Sequence, residues 1–429
     1  MCIFYDIIIV MNLHTLDGGE TMSVRKKYLS SLQQISCSIL RMKKLHLAEK
    51  YTGSGSILHI AEIMRNEGVR KVMIVTDDNV YENGMTFSFE EQLGRYDIEF
   101  THFTEIYGKA DLECIEKGTE LFLTENCDTI MAIGGGTVID CAKLIALKAG
   151  NPTKSMSYFL DYTSTPKRAV PLYAAPTTPG SGSEVSLVSF YTDQKGRRCP
   201  VVSSEFVPRA VALDPDFLYS LTPEMIAWCG MSILTRAIES YISTYSERFY
   251  RDTVNAPKAC RMVFENLYEA WLDPDNITAR MNLLKASYYS GISFRRASGG
   301  YISALANRMT ELYGIHFGKA CSVFLPVILE EYMPEIISDL AEIAYHCDFT
   351  DDRNTEVENA FRMIEQIRDL NMLLGLEDHF DELYEKDINT IVKRTQSDTR
   401  ICGCPKIFTD AELEALLFDL AYKRKTLQN

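Results

Sequence analysis

Three consecutive glycines, Gly134-Gly135-Gly136, stand between the apolar run Thr129-Ile130-Met131-Ala132-Ile133 and a helical stretch that continues to Ala149. That order of strand, glycine turn and helix constrains the fold strongly, because strands separated by helices need crossover connections and lie parallel in one sheet. The same cycle occurs on both sides of it. An amphipathic stretch from Ile57 to Asn66 precedes Val72-Met73-Ile74-Val75, which runs into Thr76-Asp77-Asp78-Asn79, and a helical stretch from Asp111 to Asn126 leads into the glycine-bearing strand. A further strand, Val170 to Ala175, enters Pro176-Thr177-Thr178-Pro179-Gly180-Ser181-Gly182-Ser183. Apolar runs of this length bounded by turn residues predict an α/β architecture with a parallel sheet.

After Asp214-Pro215 strand-like runs become rare, and apolar residues recur at helical spacing almost to the C-terminus. Thr222-Pro223 is a helix start, with threonine as N-cap and proline at the first helical position. The chain therefore divides into residues 1–45, an extension without a motif; 46–217, an α/β domain; and 218–429, an all-α domain. Its 429 residues, 46% of them hydrophobic, suffice for two cores.

A formal net charge of -15 argues against nucleic acid, whose binding relies on clustered lysine and arginine. The apolar run Ile7 to Met11 is far shorter than the roughly 20 residues that span a bilayer, and no basic segment precedes it. A cytoplasmic protein that does not enter a membrane is expected. Twelve cysteines are scattered from Cys2 to Cys404, and the one close pair, Cys402 and Cys404, lacks the two-residue gap of zinc or redox motifs. Neither disulfides nor a structural zinc is expected.

The glycine turn places backbone amides at a helix N-terminus, where Thr137 and Asp140 could form a capping box. Such a turn suits a pyrophosphate, and it equally suits a plain tight connection. Asp77 at a strand end could accept hydrogen bonds from ribose hydroxyls while disfavouring a 2'-phosphate, pointing to NAD over NADP; as a lone acid it is also an ordinary turn residue. It precedes the glycines, whereas the usual Rossmann acid follows them. Thr177, Thr178, Ser181 and Ser183 supply hydroxyls in a second polar loop after a strand, again either a ligand loop or a simple turn.

These segments together resemble the iron-dependent, or group III, alcohol dehydrogenases. The resemblance is carried by Gly134-Gly135-Gly136-Thr137 with Asp140, Ala142 and Lys143, and by Pro176-Thr177-Thr178 with Gly180, Gly182, Ser183, Glu184 and Val185. It continues through Val211-Ala212-Leu213-Asp214-Pro215, Gly230-Met231, Ala237-Ile238-Glu239-Ser240-Tyr241, Gly318 to Leu329 and Cys404-Pro405. It implies a dehydroquinate synthase-like fold in which an N-terminal α/β dinucleotide domain and a C-terminal helical domain flank a cleft, and a homodimer. It also implies NAD held by Asp77, Gly134, Gly135, Gly136, Thr137, Asp140, Lys143, Thr177, Thr178, Ser181 and Ser183.

The family builds its metal site from one aspartate and three histidines, and here those positions align with Ser232, Arg236, Asn307 and Phe317. Only His316, beside the last, carries an imidazole. A divalent ion typically needs about three protein ligands, so no metal is expected. Ser232 and Arg236, four residues apart, share a helix face. Arg236 could supply the missing positive charge, with His316 or Tyr301 relaying a proton, or it could form a structural ion pair with Glu239 or Glu184. The expected function is metal-free hydride transfer between NAD and a small alcohol or carbonyl. The alternatives are a non-catalytic nucleotide-binding homologue with a regulatory or assembly role, and sugar-phosphate cyclisation of the kind a related branch performs with NAD and a metal.

Overall fold

The computed structural model describes residues 47–427 apart from 161–167, 195, 197, 245–253, 296, 298 and 401. The extension expected over residues 1–45 lies outside the described residues.

The first half forms a six-stranded sheet from β1 (Glu49–Thr52), β2 (Lys71–Val75), β3 (Glu99–Phe103), β4 (Thr129–Gly134), β5 (Leu172–Pro176) and β8 (Ala210–Leu213). Every pair in it is parallel, and the spatial order is β1-β8-β5-β4-β2-β3. Successive side chains point to opposite faces, and both faces are covered. Met73, Val75, Ile130, Ala132 and Ala174 pack under α4 (Leu112–Thr124) and α5 (Gly136–Ala149). Val72, Ile74, Met131, Ile133, Tyr173 and Ala175 face α1 (Ile57–Asn66) and α3 (Phe87–Arg95) instead. Burial on both faces is why these strands read as continuous apolar runs, at about 1.5–3 kcal/mol for each large side chain removed from water.

Strand order reverses between β2 and β4. From β2 the chain steps outward to β3, then returns to β4 and proceeds the other way through β5 to β8. In open α/β sheets ligands bind outside the strand C-termini at this switch point. Beyond Asp77, which caps α2 (Asp78–Glu82), the loops after β2, β4 and β5 all open on that edge.

Two features depart from the sequence expectation. An antiparallel pair, β6 (Val188–Thr192) with β7 (Arg198–Val202), lies outside the main sheet. The edge strands β1 and β3 carry Glu-Lys-Tyr-Thr and Glu-Phe-Thr-His-Phe, polar enough at one face to hide a strand signal.

The second half is helical, comprising α6 (Pro223–Ile242), α7 (Asn255–Leu272), α8 (Ile277–Phe294), α9 (Tyr301–Tyr313), α10 (Phe317–His346), α11 (Glu356–Leu373), α12 (Glu385–Thr399) and α13 (Asp410–Leu427). Thr222 caps α6 by accepting from the Met225 amide at 3.3 Å, with Pro223 at the first turn, as the sequence indicates. Helix α6 is central and buried along most of its length. Neighbours approach it closely: a Cβ on Gly230 would lie 2.3 Å from Leu267 Cδ2, and one on Gly318 would lie 1.8 Å from the Trp228 carbonyl oxygen. Among the described residues no helix is long and apolar enough to cross a membrane, and the cysteines are free thiols.

Candidate active site

Three loops converge at the switch point. The register pairs Val75 with Ala132 and Gly134 with Pro176, so Asp77 follows β2 level with the glycine turn that follows β4. The Thr177 amide donates to the Gly134 carbonyl at 3.0 Å, joining the second loop to the third. Asp77 Oδ1 accepts from the Val80 amide at 2.9 Å, so the aspartate does cap a turn; its other oxygen takes no partner among the described residues.

The capping box read from Thr137 and Asp140 does not form. Helix α5 begins two residues earlier, with Gly135 as N-cap and no side chain on its first amides. Asp140 is two positions too far along to reach back, and its carboxylate lies 3.9 Å from Lys143 Nζ. The glycines are demanded by the neighbouring loop. A Cβ on Gly136 would lie 2.6 Å from Ser181 Cβ, and one on Gly135 would lie 3.2 Å from Thr178 Oγ1. The glycine turn and the Thr177–Ser183 loop thus form one cradle whose exposed donors are backbone amides and hydroxyls, with Thr137 in its first helical turn.

The rest of that loop is pinned from the helical side. Gly180 N donates to Ser287 Oγ at 2.8 Å, Gly182 in the left-handed conformation meets Gly291 of α8, and Arg236 Nη1 donates to the Ser181 carbonyl. Lys143, expected from the resemblance to touch the cofactor, is fully buried, and its ammonium donates to the Ser186 and Val188 carbonyls at 3.0 and 3.5 Å. It therefore holds the loop in place. Burial lowers its pKa to about 8.

Around Arg236 the residues singled out from sequence are partly brought together. Its guanidinium lies over the rings of Phe294 and Phe317, at 5.6 and 5.4 Å. Ser232 Oγ donates back to the Trp228 carbonyl of its own helix at 3.0 Å. The His316 ring stacks on Trp228 at 5.1 Å, and its Nδ1 accepts from the Gly318 amide at 3.1 Å, capping α10. Desolvation lowers the His316 pKa, which favours the neutral ring.

Other expectations fail here. The Tyr301 hydroxyl is buried and donates to Gln396 Oε1 at 3.0 Å, which commits it to the helical core rather than to Arg236. Asn307 is half-buried on α9. The ion pair of Arg236 with Glu239 or Glu184 is not made. Glu239 accepts from the Gly300 and Ser303 amides at 3.0 and 3.1 Å and from the Ser303 hydroxyl, stabilising the N-terminus of α9. Glu184 is 1% exposed and neither oxygen has a hydrogen-bond partner, so burial pushes its pKa up. Phe294 carried no sequence signal, because its role comes from where α8 ends in space.

Residues 48–215 match the family model for iron-containing alcohol dehydrogenase, and residues 226–421 match the C-terminal model of the Fe-containing alcohol dehydrogenase family. The chain belongs to the iron-containing alcohol dehydrogenase family. It is 26% identical over 372 residues to alcohol dehydrogenase 4 of Saccharomyces cerevisiae, covering 86% of this chain and 95% of that one. It is 29% identical to 1,3-propanediol dehydrogenase of Citrobacter freundii, covering 79% and 87%. A solved sulfoacetaldehyde reductase from Bifidobacterium kashiwanohense in complex with NAD+ superposes with a TM-score of 0.78 at 25% identity, covering 88% of this chain and 99% of that one.

At the positions that the resemblance aligns with the family's metal ligands, Ser232, Arg236, Asn307 and Phe317, the present side chains fit a metal poorly. A hydroxyl already bonded to its own helix, a guanidinium, an amide and a phenyl ring do not make a ligand set for iron or zinc. Among the described residues no three His, Cys, Asp or Glu side chains gather as metal ligands. The dinucleotide position, by contrast, fits: the first amides of α5 carry no side-chain cap and Gly135 and Gly136 are only half-buried, which suits a pyrophosphate at a helix N-terminus.

Proposed function

We propose that this alcohol dehydrogenase homologue is an NAD-linked oxidoreductase that interconverts a small alcohol and its carbonyl without a divalent metal. The observation that carries the reading is Arg236, a guanidinium that takes no carboxylate partner among the described residues, standing beside a loop that is packed against the glycine cradle.

Gly134, Gly135, Gly136 and Thr137 would hold the pyrophosphate, Thr177, Thr178, Ser181 and Ser183 would supply hydroxyl donors, and Asp77 would take the ribose. Bound, the nicotinamide would supply or accept hydride. Burial lowers the Arg236 pKa from its ordinary value, and as a guanidinium it would stabilise the oxyanion that develops as hydride moves, with no reorganisation at that moment. His316, neutral and with Nδ1 committed to Gly318, offers Nε2–H as a donor to the same oxygen. Lys143 and Glu239 act at a distance, one fixing the 186–188 carbonyls and the other the start of α9. Its similarity to a 1,3-propanediol dehydrogenase, an NAD-dependent methanol dehydrogenase and a sulfoacetaldehyde reductase supports a small substrate. A family-like homodimer belongs to the same reading and is checked by light scattering.

The test is NADH binding followed by fluorescence, then NADH oxidation with a panel of aldehydes and keto acids, in protein stripped with chelator and assayed for metal. Binding and turnover in metal-free protein are expected. Activity that disappears on chelation and returns with iron would overturn metal independence, and binding without any turnover would overturn catalysis.

A further inference from the structure

A buried arginine normally has a carboxylate partner, because leaving its donors unpaired costs about 1–3 kcal/mol for each orphaned group. Arg236 has none. Its Nη1 donates to the Ser181 carbonyl, and two aromatic rings flank the plane. That leaves the side edge, Nε–H with Nη2–H, which is the edge that grips two oxygens in parallel. Nε is buried without a partner, and Nη2 takes none among the described residues. Three acids lie close enough to influence the group, Asp140, Glu184 and Glu239, yet none pairs with it. Glu239 is spent on α9, Asp140 lies toward Lys143, and both oxygens of Glu184 remain unbonded.

An unpartnered two-donor edge calls for a two-oxygen anion. Two sources are available in this site, the pyrophosphate of the dinucleotide and a group on the substrate. The glycine cradle already offers the uncapped amides of α5 to a pyrophosphate. Arg236 lies across Ser181 from that cradle, on α6, between rings contributed by the end of α8 and the start of α10. The substrate side is thus the better match.

We infer that Arg236 selects a short 2-oxo or 2-hydroxy acid, binding one carboxylate oxygen and the adjacent carbonyl or hydroxyl oxygen on its unpartnered Nε/Nη2 edge. This rests on the redox reading of the same site. In the reducing direction the keto carbon gains a hydride from the reduced dinucleotide. The carbonyl π pair moves onto the oxygen held by Arg236, and that oxygen takes one proton from water. The products are the hydroxy acid and the oxidised dinucleotide. One guanidinium edge thereby recognises the acid and stabilises the oxygen that becomes charged, which a monodentate lysine cannot do.

The experiment compares NADH oxidation with glyoxylate and pyruvate against glycolaldehyde and hydroxyacetone, in wild type, Arg236→Lys and Arg236→Gln. Oxamate binding to the enzyme with NADH, ADP-ribose binding and thermal melts are measured on the same proteins. Wild type is expected to favour the acids by about a hundredfold in kcat/KM, and Arg236→Lys to bring that ratio near one while weakening oxamate with ADP-ribose unchanged. If Arg236→Gln does not fold, the lysine variant decides alone. Neutral substrates used as well as acids, or a ratio that survives in Arg236→Lys, would sink this inference and leave the metal-free redox reading standing. Oxamate binding lost in Arg236→Lys with no turnover of any substrate would keep the anion site and sink the redox reading. Loss of ADP-ribose rather than oxamate would assign the edge to the cofactor and overturn the proposal, as would absence of oxamate binding in wild type.

Discussion

Gly182 and Gly291 meet backbone to backbone: a Cβ on Gly182 would lie 2.7 Å from the Cα of Gly291, and one on Gly291 would lie 2.9 Å from the Cα of Gly182. The contact joins the polar loop after β5 to helix α8, so the loop that builds the cradle cannot move independently of the helical half. Neither residue can acquire a side chain without separating the two backbones, and Gly182 also holds φ at +60°.

Gly291→Ala is therefore expected to cost about 1–3 kcal/mol, by overpacking, and to weaken NADH because Ser181 and Ser183 move with the loop. Urea unfolding with a parallel NADH titration checks both. Gly68, also at positive φ but with open space around its Cβ position, is the control: Gly68→Ala should cost stability through the backbone alone and leave NADH affinity intact. Equal effects on NADH from both variants would remove the loop from the cradle.

Gly136→Ala tests the cradle itself. Its Cβ would lie 2.6 Å from that of Ser181, and alanine is a good helix former, so the helix should persist while the ligand-facing turn is distorted. NADH affinity is expected to fall about ten- to a hundredfold, or about 1.4–2.8 kcal/mol, with helix content by circular dichroism unchanged. An unaltered dissociation constant would show that dinucleotide does not bind at this turn.

Much of this arrangement was legible in the chain because periodicity and glycine position report local geometry directly. The buried strands β2, β4 and β5 are continuous apolar runs, and Thr222-Pro223 marks the start of α6 without ambiguity. The capping box was misread because the spacing from Thr137 to Asp140 is right only if the helix starts after Thr137, and the packing of Gly136 against Ser181 starts it earlier. The partners of Lys143, Tyr301 and Glu239 were not legible at all. Each depends on an element distant in sequence: the 186–188 carbonyls, Gln396 on α12 and the first turn of α9. No local pattern specifies which of several polar residues a buried charge will meet.

Lys143 should leave a signature in stability against pH. Its folded pKa, about 8, lies below the ordinary 10.5, so between these values the unfolded chain binds more protons and stability rises with pH. Below about pH 8 the cost is fully present and constant. Relative to Lys143→Met, wild type should therefore gain stability between pH 8 and 10.5, up to about 3 kcal/mol at the 1.36 kcal/mol of each pKa unit, and run parallel to it below pH 8. Urea midpoints at pH 7, 8, 9 and 10 decide the matter; parallel curves throughout would mean the ammonium is not desolvated.

Glu184 has the opposite sign. Burial raises its folded pKa above 4.5, so the native state holds the proton longer and stability is lost as pH rises through the folded value. Glu184→Gln removes the ionisation and keeps the shape. It should be more stable than wild type at neutral pH by on the order of 1 kcal/mol, with the gap shrinking to a constant offset below pH 4.5. A variant less stable than wild type at pH 7 would show that the carboxylate is held ionised by Lys143 and Arg236 after all.

The positions that the resemblance aligns with the family's metal ligands give the metal-free proposal a reversible test. If the fold is intact and only the ligands differ, then Ser232→Asp, Arg236→His, Asn307→His and Phe317→His together should create a binding site from hard and borderline ligands, with no change in scaffold. The four-fold variant is expected to carry about one equivalent of iron or zinc after purification without chelator, a number set by one site per chain, while wild type prepared identically carries essentially none. Metal binding should also raise its melting temperature in proportion to free ion, since the ion binds only the folded chain. Equal metal in both proteins would mean that Ser232, Asn307 and His316 hold an ion despite the guanidinium between them. No metal in either would mean that α6, α9 and α10 do not bring these four positions into a ligand geometry, even with Arg236 removed.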